Sequence, residues 1–330
     1  MYQPELYGIA LTFMVISMLC WGSWANTLKL CPGFRFQLFY WDYVIGLVVA
    51  AIAWGLTLGS FGSVGRPFIA DIAHASAHSI VLAVAGGAIF NIANLLLVAA
   101  IDIAGLAVAF PIGIGLALVV GAVSSYLISP QGNPLLLFGG IALVVLAILF
   151  DAVAYRLREA SRPAMSRRGI VISLIAGLLM GCFYPFVSKA MIGENAPGPY
   201  AAVLLFAIGV AASSIPVNYL LMRMPLDGRE PASMVGYWRA PTIWHMWGFV
   251  GGLIWCTGAM MNFVASQAHI VGPAVSYSIG QGATMISACW GVFVWREFAA
   301  SPSLSKAFLA WMFVFFLSGL TAIAVAPLFS

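Results

Sequence analysis

The sequence predicts an all-α integral membrane protein whose ten transmembrane helices form two inverted five-helix repeats. Three observations carry this. First, 63% of the 330 residues are hydrophobic and 7% are charged, against about 25% charged in a soluble domain, so the chain could not cover its own surface in water. Second, ten apolar runs recur, each near the roughly 20 residues that a helix needs to cross a bilayer. Third, "GLAVAFPIGIG" at 105–115 returns as "GPAVSYSIGQG" at 272–282, with six of eleven residues matching at an offset of 167. Just upstream, "GGAIF" (86–90) and "GGLIW" (251–255) align at an offset of 165. The match sets the third run on the eighth and the fourth on the ninth. Each half then holds five spans, and an odd number turns the halves over relative to each other. Inverted repeats are the architecture of secondary transporters, with the solute near the midplane between the halves.

The first repeat (1–158) holds spans at 6–28, 36–59, 79–101, 104–128 and 133–156. A basic linker over 159–168 follows. The second repeat (169–330) holds spans at 169–192, 199–222, 244–267, 271–295 and 306–328. Spans one and two meet at a turn dense in polar and aromatic residues. Span three carries Asn91 and Asn94 and passes through a very tight turn into span four, where Pro111 precedes Gly113 and Gly115. Span five aligns Asp151, Tyr155 and Arg158 along one face, as structural partners would. Span six carries the small pair Gly177/Gly181, and span eight carries Gly248/Gly252, with Trp255 and Asn262 on a shared face. A second tight turn leads to span nine, where Pro273 precedes Gly280 and Gly282, and Tyr277 and Gln281 share a face. Small residues let membrane helices approach closely. The glycine pairs beside Pro111 and Pro273 fit either that role or a flexible gate.

Orientation follows from the basic residues. Twelve of the 14 lysines and arginines, Lys29, Arg35, Arg156, Arg158 and Arg296 among them, fall in connections on one side, and only Arg66 and Lys189 on the other. The basic side is cytoplasmic by the positive-inside rule, which sets both termini outside. A net charge of +4 gives no reason to expect nucleic acid. The stretch before the first span holds Glu5 and no basic residue, unlike a secretory leader. The five cysteines lack CxxC spacing and read as packing residues, so neither metal nor cofactor is expected. Motifs for phosphate cradling, metalloprotease or serine-hydrolase chemistry are missing. An enzyme is therefore not expected, and a membrane enzyme or receptor is the remotest alternative.

Polar side chains inside a membrane are costly, and those retained usually face a cavity or a partner. Candidate solute-binding residues are Trp21, Trp24, Asn26, Tyr40, Asn91, Asn94, Trp255, Asn262, Tyr277 and Gln281. Carboxamides offer donors and acceptors to a neutral polar solute, while aromatic rings cover its flat or apolar faces. The same residues could instead hold helices together. Asp42 lies roughly 9 Å inside span two, as a proton-coupling group or as an ion-pair partner of Lys29 or Arg35. These three form a candidate cytoplasmic gate.

"CWGSWANTLKL…FRFQLFYWDY" (20–43), together with "WGVFVWREF" (290–298), resembles the ureide permease family. The likeness runs over most of the chain and extends to the drug/metabolite transporter superfamily and its bacterial glucose/ribose porters. It implies a ten-helix carrier in a plasma membrane, the bacterial inner membrane by the porter likeness. Ureide permeases of plants import allantoin and related oxo-nitrogen heterocycles such as uracil with protons, and the porters import sugars. The expected activity is therefore proton symport of a small neutral nucleobase or ureide. Sugar–proton symport and drug or metabolite export are the alternatives. The long central loop of plant members, with its nucleotide-binding-like motif, is short here and lacks that motif.

Overall fold

A computed structural model describes residues 1–158 and 166–329, and for Leu106 and Ala107 the backbone alone. Most of the expected linker at 159–168 lies outside the described residues. The rest is helical, in chain order α1 (Tyr7–Ser23), α2 (Asn26–Lys29), α3 (Phe36–Leu56), α4 (Phe68–His74), α5 (Ala77–Ala104), α6 (Leu106–Ile128), α7 (Pro134–Arg158), α8 (Arg167–Ala190), α9 (Pro199–Arg223), α10 (Met234–Trp238), α11 (Thr242–Ser266), α12 (Gly272–Gly280), α13 (Ala283–Cys289) and α14 (Ser303–Val325). Among the described residues, nine helices are long and apolar enough to cross a membrane, α1 and α2 counting together as one.

The expected ninth span, 271–295, is not a single helix. α12 stops at Gly280, and the chain turns through Gln281 and Gly282 on tight i→i+3 bonds, Gly282 N–H to the Ile279 oxygen (2.9 Å) and Met285 N–H to the Gly282 oxygen (2.9 Å). After α13, a π-helical turn over Trp290–Val294 closes on the bond from Trp295 N–H to the Trp290 oxygen (2.9 Å). Glycines at 280 and 282 weaken the helix locally, and nearby side chains leave no room for a Cβ at either position, the Trp21 ring at Gly280 and Met18 Sδ at Gly282.

Burial is inverted relative to a soluble protein. Leu127, Leu135, Phe293 and Ile215 are among the most exposed residues, while Asn91, Asn218 and Asn262 are fully buried. Such a surface suits lipid, where only backbone bonded within its own helix is tolerated. α5 packs on α8 and α9, α3 on α9 and α11, α6 on α8, and α7 on α14. At the closest crossings glycine is obligatory. Gly46 and Gly252 lie against opposite backbones where α3 crosses α11, and Gly87 and Gly209 do the same where α5 crosses α9. Gly113 packs against Gly177 between α6 and α8. The tight turns into α6 and α12 each begin with a glycine in the left-handed region, Gly105 (φ 81°) and Gly272 (φ 73°), which other residues adopt only with strain.

Candidate functional site

A cavity of about 330 Å³ opens between α1, α2, α5, α6, α8, α11 and the interrupted α12–α13 segment. Its deep wall is aromatic. Trp255 of α11 stacks on Trp21 (ring centroids 5.9 Å apart) and Phe206 (5.7 Å), and leans on Phe90 at 4.3 Å. Trp24 packs on Tyr43 at 4.9 Å. Phe110 and Phe183 complete the apolar lining.

Three buried polar side chains face this space, Asn94 from α5, Gln281 from the helix break and Thr284 from α13. Gln281 and Thr284 are 9% and 4% exposed, and their side chains have no hydrogen-bond partner among the described residues. Their polar atoms open onto the cavity instead of onto protein partners, where a solute can meet them. The break sets Gln281 just after α12 and Thr284 in the first turn of α13, so both reach the cavity.

At the mouth, Glu297 binds Lys29 (2.6 Å) and Arg158 (2.8 Å), accepts a long hydrogen bond from Tyr155 (3.4 Å), and Lys29 sits 5.1 Å above the Trp295 ring. Partial burial pushes the Glu297 carboxyl up, but the hydrogen bonds and charges of Lys29 and Arg158 outweigh it and hold it below the usual carboxylate range. The two sequence motifs interlock here. Trp290 Nε1 donates to Ser23 Oγ (2.9 Å) and Trp295 Nε1 to Asn26 Oδ1 (2.6 Å).

Of the thirteen residues singled out from sequence, Trp21, Trp24, Asn94, Trp255, Gln281 and Lys29 line the cavity. The others lie elsewhere. Asn26 belongs to the motif contact just described. Asn91 is enclosed by Tyr40, Ser213 and Ser214. Asn262 is saturated by Tyr184, Ser17 and the Ser276 backbone, and the Tyr277 hydroxyl donates to the Ala117 oxygen at 3.1 Å.

Asp42 does not pair with Lys29 or Arg35. It accepts from Tyr237 (2.6 Å) and meets His245 Nδ1 at 2.8 Å, in a seam where Gly248 lets α11 come close. Burial and the neighbouring carboxylate push the Tyr237 phenol up, so it remains a donor. Arg35 instead donates to the Glu230 carbonyl oxygen. Sequence reading missed Thr284, His245 and the central place of Glu297. Thr284 lies three residues beyond Gln281, a signal visible only once the break is known.

The ureide permease family model matches residues 39–168, from within α3 to the start of α8. Ureide permease 2 of Arabidopsis thaliana is 24% identical, in an alignment covering 98% of this chain and 98% of the relative. Over nearly its whole length the chain is similar to a ureide permease. Ureide permease 1 of the same plant is 22% identical over 96% of each chain. The alignment to ureide permease 2 runs to 398 positions, more than the 330 residues here, so that relative carries insertions. One solved crystal structure superimposes with a TM-score of 0.63 over 95% of each chain at 17% identity, a shared fold. The chain is a multi-pass membrane protein, and the named proteins it is similar to are permeases.

Proposed function

We propose that this chain is a secondary active transporter that imports a small neutral polar solute of the nucleobase or ureide type by proton symport. The observation that carries the reading is the cavity itself. Its deep part offers tryptophan faces and unpartnered neutral polar groups, while the charged residues Lys29 and Glu297 neutralise each other at the mouth. A flat heterocycle with amide-like edges satisfies both kinds of wall. The names of the Arabidopsis relatives support the ureide class. Sugars are the second reading, since their hydroxyl edges also suit carboxamides over aromatic rings.

We read α12, α13 and the π turn together as a tenth span and the two halves as inverted repeats. The support is that features recur at corresponding places. Gly105 and Gly272 start the matched segments with the same backbone sign, and Gly87 and Gly252 hold the two glycine crossings. Helix packing follows suit, α5 with α8 against α11 with α1, and α3 with α11 against α9 with α5. With the basic side inside and both termini outside, the cavity opens toward the cytoplasm. Discontinuous helices at the midplane are where such carriers bind solute. Asp42, with His245 and Tyr237, is the proposed proton-coupling group, and Lys29 and Glu297 the inner gate.

Uptake of labelled uracil, allantoin, glucose and ribose into proteoliposomes, with and without an imposed pH gradient, tests the reading. Gradient-driven accumulation of uracil or allantoin, abolished by a protonophore, is expected. Accumulation of sugars alone would transfer the assignment to the second reading, and outward-only movement would favour export.

A further inference from the structure

The polar side chains behind the cavity wall form a chain of hydrogen bonds with one possible direction. Ser213 Oγ donates to the Gly209 carbonyl oxygen at 2.7 Å, with the Val210 oxygen also near at 3.2 Å. Its single proton is committed to backbone, so toward Asn91 the hydroxyl can only accept. Asn91 therefore turns its amino group to Ser213 (2.9 Å), and its carbonyl oxygen faces the other way. That oxygen accepts from the Tyr40 hydroxyl at 2.9 Å and is approached by Ser214 Oγ at 3.0 Å. With its proton spent, the Tyr40 oxygen is an acceptor toward its remaining neighbour. The neighbour is the Asn94 amino group, at 3.4 Å.

Amide nitrogen and oxygen are ordinarily assigned from the surrounding network, and here the network fixes both asparagines from a backbone carbonyl outward. Tyr40 and Asn91 are fully buried, so water does not offer them other partners. Asn94 is the last member and lines the cavity.

We propose that Ser213, Asn91 and Tyr40 are positioning residues that hold Asn94 with its carbonyl oxygen toward the cavity, so that this point of the wall selects solutes presenting an N–H or O–H donor. The proposal rests on the cavity being the solute site. It gives Asn91 and Tyr40 a role without solute contact. It also makes the polar points of the site unequal, since Gln281 and Thr284 can each turn to donate or accept, whereas Asn94, with one N–H held by Tyr40, keeps its carbonyl oxygen toward the cavity. A solute whose donor is capped by a methyl group leaves that oxygen desolvated and unmatched, a loss of about tenfold or more in affinity.

Two measurements on the full-length protein in detergent decide it. The first needs no ligand. In 1H–15N spectra of asparagine-labelled protein, the Asn94 side-chain NH₂, assigned by its loss in Asn94→Leu, is expected to be protected from exchange, and Tyr40→Phe should remove that protection. An Asn94 NH₂ that exchanges freely in the unmodified protein would overturn the relay. The second is competition binding with uracil, 1-methyluracil, 3-methyluracil and 1,3-dimethyluracil. At least one methylated probe should bind about tenfold more weakly than uracil, and Tyr40→Phe should narrow that ratio by freeing Asn94 to turn. Equal weakening of all probes in Tyr40→Phe would overturn the selectivity, leaving Tyr40 a packing residue. Binding of no probe, with NH₂ protection intact, would sink the solute class and the selectivity together while the relay stands.

Discussion

Replacing Glu297 by glutamine removes the charge that three elements share. Lys29 ends the first span, Arg158 ends α7, and Glu297 sits in the connection into α14, so the carboxylate ties these three segments together at the cavity mouth. The Lys29 side chain is 46% exposed, and an ion pair of that kind contributes about 0.2–1 kcal/mol. The Arg158 and Glu297 side chains are 22% and 24% exposed, and a less solvated charge-assisted bond contributes about 1.5–3 kcal/mol. Glutamine can still accept one hydrogen bond, so the expected net loss is about 1–3 kcal/mol. The assay is thermal melting of purified Glu297→Gln and unmodified protein at one scan rate, repeated at intervals from pH 8 to pH 3. At neutral pH the variant should melt about 1–5 °C lower, since about 1 kcal/mol moves the midpoint by roughly 2–4 °C in proteins of 150–250 residues and by less in longer chains. The folded-state carboxyl lies below its ordinary range. Its stabilisation is therefore fully present above the unfolded value of about 4.3, and is lost as pH falls from there through the lower folded value. The gap between the two proteins should close only in that acidic window. A gap of constant size across the range, or none at neutral pH, would refute the assignment of Glu297 as the clasp.

Asp42→Asn keeps the Tyr237 hydrogen bond but removes the charge beside His245; it should retain solute exchange and lose accumulation driven by a pH gradient, and full accumulation by a stable variant would exclude Asp42 from coupling. Gly252→Val drives a side chain into the Tyr43 backbone, whereas a Cβ at Gly115 meets nothing within 4 Å. The first should abolish folded protein on size-exclusion chromatography and Gly115→Ala should not. Thr284→Val preserves shape and deletes the unpartnered hydroxyl, so affinity for uracil in a binding assay should fall several-fold, by about 0.5–1.5 kcal/mol, with the melting point unchanged. With native cysteines removed, Ser63→Cys should react with an impermeant thiol reagent from outside and Glu230→Cys should not; the reverse pattern would turn the cavity to face outward.

Much of the fold was legible because lipid imposes a simple rule, that backbone groups must be satisfied within a helix and side chains facing hydrocarbon must be apolar. Nine of the ten expected runs coincide with a long helix, and their edges differ by a few residues at most positions. The tenth shows where that rule stops being sufficient. Hydropathy reports whether a segment can sit in a membrane, not whether its helix is continuous, and "SYSIGQGATM" is apolar enough on average to hide an interruption. The glycines at 280 and 282 were visible, but the same spacing at Gly113 and Gly115 leaves α6 unbroken. What differs is the neighbour. Gly113 packs against Gly177, whereas Gly280 and Gly282 are pressed by Trp21 and Met18 from α1, a tertiary fact that no window of sequence contains.

The site was half legible for the same reason. Residue type identified which side chains were too polar for lipid, and four of the five candidate carboxamides, Asn91, Asn94, Asn262 and Gln281, proved buried. Which of them face a cavity and which face one another depends on pairs distant in sequence. Asn91 finds Ser213 across 122 residues and Asn262 finds Ser17 across 245. Both are consumed by these partners, while Gln281, placed at a break, has none. The distinction between glue and recognition therefore lies in tertiary placement, to which a break in the backbone contributes at Gln281. Within the unbroken α5 and α11, Asn91 and Asn262 are brought against neighbours and saturated, while Asn94, one turn from Asn91, is left beside the cavity. At an interruption the chain turns away from the packed interface, and the amide is left facing the space that the turn creates.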